Sequence, residues 1–169
     1  AAAYTGRCAK RPNLITYDLG GTSTVVALIY DCQPSVSNEI EIEYAMPIHV
    51  PMVDVRTIGA GGGSIARVNQ AGLLEVGPES AGADPGPICY GLGGDLPTIT
   101  DANALLGRLD IEKFGRGKEK VSLDRIREIF QLKIGNPLGV DAETAASAVL
   151  RMANTLMAGA IRMVSISLG

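Results

Sequence analysis

The chain has 169 residues, 46 % of them hydrophobic and 20 % charged, with 21 Gly and 9 Pro. This composition excludes disorder throughout and fits one globular domain with a real core and many turns. A balance of 15 Lys and Arg against 18 Asp and Glu gives a net charge of −3, and aromatics make up 4 % with no Trp. Neither a basic groove nor a base-stacking platform is evident, so nucleic acid is not expected as a partner.

No uncharged apolar stretch of about 18 residues occurs, so no membrane span is expected. The start, Ala1 to Gly6, has no Met, no basic region and no long apolar region. It does not read as a secretory signal, and the chain reads as cut from something longer. Cys8, Cys32 and Cys89 are odd in number and widely spaced, which fits neither a disulfide framework nor a zinc ribbon; reduced thiols in a cytoplasmic protein are the simplest account.

Taken in order, the Ala-rich start closes on Arg7, Lys10 and Arg11 before Pro12, as a helix with basic residues in its last turn does. Leu14 to Tyr17 and Val25 to Tyr30 are β-branched, apolar runs on either side of Asp18-Leu19-Gly20-Gly21-Thr22-Ser23-Thr24, a strand, glycine turn and strand with both strands expected to be buried on two faces. Glu39 to Tyr44 and Val53 to Ile58 alternate charged or polar with apolar side chains, the period-two pattern of marginal strands with one wet face.

Gly59-Ala60-Gly61-Gly62-Gly63-Ser64 opens a second expected hairpin, Ile65–Val68 and Leu73–Val76 about an Asn69–Gly72 turn. Gly77 to Pro97 is too dense in glycine and proline for regular structure and is expected to be one long loop. Thr98 or Thr100 can cap a helix to about Arg108, Ser122 another to about Lys133, and Asp141 a third to the end. In the third, Ala145, Val149, Met152, Leu156, Ile161 and Val164 form the expected buried stripe, which is expected to pack on a sheet. Residues 1–97 thus read as strands and Gly-rich loops and 98–169 as helices, while Phe114 to Lys120 reads as a solvated loop.

Three segments could carry chemistry. In the first, Gly20 and Gly21 at a tight hairpin let backbone N–H groups approach an anion, Thr22, Ser23 and Thr24 add hydroxyls, and Asp18 at the strand end can hold a hydrated Mg²⁺. The plain alternative is a glycine turn, but a charge on a strand expected to be buried needs a reason. No Walker loop occurs. In the second, Gly61, Gly62, Gly63 and Ser64 permit close backbone approach either to a ligand or to a neighbouring strand; they are no dinucleotide fingerprint, because a strand rather than a helix is expected to follow. In the third, Asp84, Cys89, Asp101 and the single histidine, His49, could in principle assemble a metal site, but their spacing is irregular and a turn aspartate, buried thiol, helix-cap aspartate and surface histidine are the favoured account. His49 lies in an apolar run without a marked partner, so no catalytic triad is expected.

The segments Tyr17-Asp18-Leu19-Gly20-Gly21-Thr22-Ser23-Thr24, Asp54 to Ala66, Val76 to Pro87 with Cys89-Tyr90-Gly91, and Pro97-Thr98-Ile99-Thr100-Asp101-Ala102-Asn103 with Leu106 to Leu109 resemble the hydantoinase A/5-oxoprolinase family over nearly the whole chain. The resemblance implies an α/β fold, an actin-like (ribonuclease H-like) ATPase half-domain with a mixed β-sheet and glycine hairpins followed by packed helices. It implies that the 169 residues are one domain inside a longer chain, whose other parts, together with a hydantoinase B-type subunit or domain, are its partners. The implied activity is an ATP-dependent cyclic amidase: a lactam or imide carbonyl oxygen is phosphorylated and water opens the ring, as in hydantoin or 5-oxoproline hydrolysis. Related carboxylases phosphorylate a ketone-derived enolate instead. By position, Asp18 would hold Mg²⁺ through water, Gly20, Gly21 and Thr22 would bind ATP phosphate through N–H groups, and Ser23 and Thr24 would support them. Relatives commonly carry an acidic residue where this chain has Val25, which keeps open an inactive structural subunit of the same fold.

Overall fold

Strand propensity concentrates in Val25–Tyr30, and in the computed structural model this run lies in the central strand of a four-stranded sheet. The structure describes residues 1–37, 40–42, 46–48, 51–114 and 121–166. His49, the flanks of the expected strand over Glu39 to Tyr44, and the expected loop after Phe114 lie outside the described residues. Backbone contacts divide the chain into two compact units, one of Ala1–Asp18, Val25–Thr57 and Gly159–Gly169, the other of Leu19–Thr24 and Ile58–Ala158.

The first unit opens with α1 (Ala2–Cys8), with Arg7 in its last turn. Strands β1 (Leu14–Leu19), β2 (Thr24–Tyr30) and β3 (Gln33–Pro34) follow. Five short strands come next, β4 (Val36–Ser37), β5 (Ile40–Ile42), β6 (Met46–Ile48), β7 (Met52–Val53) and β8 (Val55–Ile58). β1, β3 and β8 all pair with β2, while β4 pairs with β7 and β5 with β6 in separate antiparallel ribbons. The expected strand over Val53 to Ile58 is therefore interrupted at Asp54.

Burial in the sheet follows the pairing. Val26, Ala27 and Ile29 of β2 are buried, as the sequence suggested. β1 corrects that expectation: β2 is its only partner among the described strands, and Ile15, Tyr17 and Leu19 are exposed on alternate positions, as is Asp18. An edge strand need not bury both faces, so the desolvation argument for Asp18 falls away.

The second unit is built on the antiparallel hairpin of β9 (Ser64–Val68) and β10 (Leu74–Ser80). Its turn forms where expected, with Asn69 Oδ1 accepting from the N–H groups of Ala71 and Leu73 and Gly72 at φ +75°. β10 runs four residues beyond the expected end. Its register shifts between Val76 and Ser80, and Gly77 supplies the left-handed φ of +69° that the irregularity uses. The expected long loop is therefore shorter and ordered, with a 3₁₀ turn at Ile88–Tyr90.

Helices complete this unit. Thr98 caps α2 (Ile99–Leu105) in a capping box with Asp101. α3 (Ile111–Phe114) follows, and Ser122 caps α4 (Leu123–Phe130), which continues through a π turn at Gln131–Gly135 into α5 (Asn136–Leu138). In α6 (Ala142–Ile166), Asp141 Oδ1 accepts from Thr144 N at 2.6 Å. The core of the unit joins Ala66 and Val76 of the hairpin to Ile126, Phe130 and Ile134 and to Ala145, Ala146, Val149, Ala153 and Met157 of α6. Each fully buried large side chain in such a core contributes about 1.5–3 kcal/mol.

The buried stripe of α6 matches the expected one at Ala145, Val149 and Val164 and departs from it between Val149 and Val164. Ala153 and Met157 are buried, while Met152 is half-buried and Leu156 is 41 % exposed. Side-chain size misled the reading: small alanines face the crowded core, and the longer residues lie to either side. By length and a mean hydropathy of 1.2, α6 is also long and apolar enough to cross a membrane, contrary to the reading from its charges. Core packing along the buried stripe is the use this structure makes of its apolar surface.

Asp101 is the buried polar knot of this unit. Fully buried, its carboxylate accepts from Ile88 N (3.1 Å), Cys89 N (2.8 Å), Thr98 N (3.1 Å) and Thr98 Oγ1 (2.7 Å). Burial holds its pKa above the ordinary aspartate value, and the Cys89 N–H and Thr98 hydroxyl pull it partly back. An Asp101→Asn substitution keeps the volume but turns an NH₂ group toward N–H donors. It should lower unfolding free energy by about 1–3 kcal/mol for each donor left unpaired, read by urea denaturation of the full-length protein. A variant as stable as the parent would contradict the knot.

Candidate functional site

The glycine turn between β1 and β2 is exposed at Gly20, Gly21 and Thr22 and buried by Thr24. Gly20 N–H donates to Ser23 O at 2.8 Å, closing the turn. Among the described residues, the N–H groups of Gly21 and Thr22 have no partner, so the tip offers two adjacent exposed donors. Thr24 is different in kind: its hydroxyl is fully buried and donates to Ala60 O, an anchor rather than a ligand group.

A strap formed by Gly61 to Ser64 grips this turn. Gly62 N–H donates to Gly20 O at 2.9 Å and Gly63 N–H to Gly21 O at 2.6 Å. Gly61 N–H donates to Ser64 Oγ at 2.8 Å, and Ser64 N–H to Gly61 O at 3.0 Å. All four N–H groups are thus occupied within the protein. Of the two readings left open for Gly61, Gly62, Gly63 and Ser64, close approach to a neighbouring strand is the one this geometry carries. A Cβ on Gly61 would sit 2.7 Å from Gly20 O, Ser23 N and Thr22 C, so only glycine lets the strap lie against the turn.

The strap is held in turn. Gly62 O accepts from both Thr100 N and Thr100 Oγ1, each at 2.8 Å, and Gly63 O accepts from Ala81 N at 2.9 Å. Ser80 Oγ reaches Thr22 Oγ1 at 3.4 Å and accepts from Gly82 N at 3.2 Å. From sequence, Thr100 reads only as a cap candidate and Ser80 only as loop. Their proximity to the turn comes from long-range pairing that has no local signature.

The remaining candidates separate. Asp18 is exposed on β1 with no ion pair among the described residues, while Ser23 and Val25 are half-buried. Asp84 is exposed, and the lone pairs of Asp101 are taken by protein donors. Burial, and then the Asp101 carboxylate, push the Cys89 thiol far above its ordinary value, which disfavours the thiolate that a nucleophile or metal ligand requires. Among the described residues no three His, Cys, Asp or Glu side chains gather as a metal site.

The family model Hydantoinase/oxoprolinase matches residues 1–169. The chain is 41 % identical to caprolactamase subunit alpha of Pseudomonas jessenii over all of this chain and 25 % of that protein. It is 38 % identical to 5-oxoprolinase of Saccharomyces cerevisiae over 96 % of this chain and 13 % of that one. The crystal structure of ATP-dependent caprolactamase from Pseudomonas jessenii superposes with a TM-score of 0.82 at 40 % identity, covering 99 % of this chain and 25 % of that one. A nucleotide-free acetone carboxylase, from work on ATP-dependent acetone carboxylation, superposes with a TM-score of 0.84 at 29 % identity, covering 96 % and 23 %. The chain thus spans about a quarter of the first relatives it matches, and it has their ATPase-like fold.

The strap makes a steric prediction. Gly61→Ala should displace the turn and cost about 1–3 kcal/mol, as overpacking does. Gly21→Ala, with nothing within 4 Å of the added carbon, should change stability by less than about 0.5 kcal/mol. Urea unfolding of the two variants checks this, and equal losses would contradict the gripped-turn geometry.

Proposed function

From its membership of the hydantoinase/oxoprolinase family, to which this chain belongs over its whole length, we propose that it is part of an ATP-dependent cyclic amidase and supplies a hairpin that binds ATP phosphate. One observation carries the reading: the Gly20-Gly21-Thr22 tip is exposed with two unpartnered N–H groups, while every donor of the strap beneath it is occupied. Two adjacent exposed N–H groups suit an anion. The likeness to a caprolactamase and a 5-oxoprolinase supports a lactam or imide as substrate class.

In this reading Gly21 and Thr22 bind a phosphate oxygen through their N–H groups, and the Thr22 hydroxyl adds a third donor. Fixed dipoles aimed at the transferring group lower the barrier because they need not reorganise as charge develops. Asp18, exposed and free of ion pairs among the described residues, is suited to hold a hydrated Mg²⁺. Such an ion, when bound, neutralises phosphate charge. Ser23 frames the tip, Thr24 anchors it, and Gly61 to Ser64 hold its carbonyls inward.

The rest of the longer protein and a hydantoinase B-type subunit or domain are the proposed partners, in keeping with a relative that is itself named a subunit. Three free cysteines support a reducing, cytoplasmic setting. A ketone carboxylase is the second reading, favoured by the match to acetone carboxylase.

ATP hydrolysis by the full-length protein with Mg²⁺ tests these readings against hydantoin, 5-oxoproline and caprolactam. Stimulation by a cyclic amide, lost by about 10²-fold or more in Asp18→Ala, is the expected result for a residue that positions the transferring group. Turnover that requires bicarbonate and a ketone would move the assignment to the carboxylase. Absence of nucleotide binding would overturn both and leave the structural subunit to which Val25 points.

A further inference from the structure

We propose that Thr100 is a positioning residue for the phosphate-binding turn, acting through Gly62; the inference rests on the proposed function of that turn. Among the described residues Thr100 has no hydrogen bond to the tip itself. Both its N–H and its hydroxyl donate to one acceptor, Gly62 O, at 2.8 Å each. Two donors on a single carbonyl fix the plane of the peptide that follows it, because a carbonyl oxygen prefers its donors near that plane. The Gly62 and Gly63 N–H groups that flank this carbonyl are those that hold Gly20 O and Gly21 O.

The consequence at the tip follows from peptide planarity. Fixing Gly20 O and Gly21 O toward the strap turns the opposite ends of the same peptide planes, the N–H groups of Gly21 and Thr22, away from it. Thr100 thereby sets the direction of the exposed donors from a site one layer below. The hydroxyl matters because Gly61, Gly62 and Gly63 have no side chains and glycine has the widest backbone freedom of any residue, so hydrogen bonds alone set the direction of each peptide in the strap. Thr100 is itself rigidly based, since it is 8 % exposed and lies inside the capping box between Thr98 and the buried Asp101.

Thr100→Val removes the hydroxyl with little change of shape, and Thr100→Ser restores it. In the full-length protein two readouts separate this role from a general loss of stability. The first needs no nucleotide: amide hydrogen exchange in Thr100→Val should speed up over residues 19–24 and 59–64 while α4 and α6 stay protected, and Thr100→Ser should resemble the parent. The second is MgATP binding by calorimetry, where Thr100→Val should bind about five- to tenfold more weakly, the loss expected of one hydrogen bond, with Thr100→Ser near the parent.

Unchanged exchange in the turn, or equal losses in the Val and Ser variants, would overturn the inference. If Thr100→Val proves unfolded, Thr100→Ala against Thr100→Ser applies the same exchange criterion. A parent that binds no nucleotide would overturn the phosphate reading alone, since the exchange result still decides whether Thr100 orders the turn.

Discussion

The pair of hydrogen bonds from Gly62 and Gly63 to the carbonyls of Gly20 and Gly21 is the constraint on which the rest of this account depends. A glycine turn alone is a flexible object. Held by its carbonyls, it becomes a surface whose N–H groups point one way, and it does so without any side chain that could block an approaching anion. The binding surface and its support are therefore both backbone, and the chemistry of the segment lies in peptide orientation more than in side-chain identity.

This explains why so many glycines cluster in two places distant in sequence. Gly61 is required because a Cβ there would strike the turn, and Gly77 because the register shift within β10 needs a left-handed residue close to the Gly59 carbonyl. The helical half serves the same end by providing a rigid base. Ile126, Phe130 and Ile134 bury against the α6 alanines, and the Asp101 knot fixes the start of α2, from which Thr100 reaches the strap. Stability here is organised around a buried, fully satisfied polar group, which orders its surroundings more strictly than an apolar contact could.

Much of this was legible in the sequence, for reasons that are local. The strands about the first turn, the second hairpin and its Asn69–Gly72 turn, and the caps at Thr98, Ser122 and Asp141 all follow from propensity and capping chemistry within a few residues. The family resemblance extended that reading to the fold and the ATPase-like architecture. What escaped was set at long range. Burial of β1 was overestimated because apolar composition does not say which strand lies at an edge. The α6 stripe was misassigned because alanine carries a weak hydrophobic signal however tightly it packs. Gly61 to Ser64 could be read as ligand contact or packing until Gly20 and Gly21 were seen to occupy their donors. Asp101 gave two plausible readings, and only its four donors show that a capping-box carboxylate leaves nothing for a metal.

In the proposed reading the turn presents outward N–H groups to a phosphate while the strap remains closed beneath it. A crystal structure of the full-length protein with Mg²⁺ and a non-hydrolysable ATP analogue tests this. A phosphate oxygen is expected within about 3 Å of the Gly21 and Thr22 nitrogens, the range of an N–H···O bond, with Gly62 and Gly63 still bonded to Gly20 and Gly21. Phosphates bound to the Gly62 and Gly63 amides instead, with the turn released, or a nucleotide seated away from the turn altogether, would contradict it.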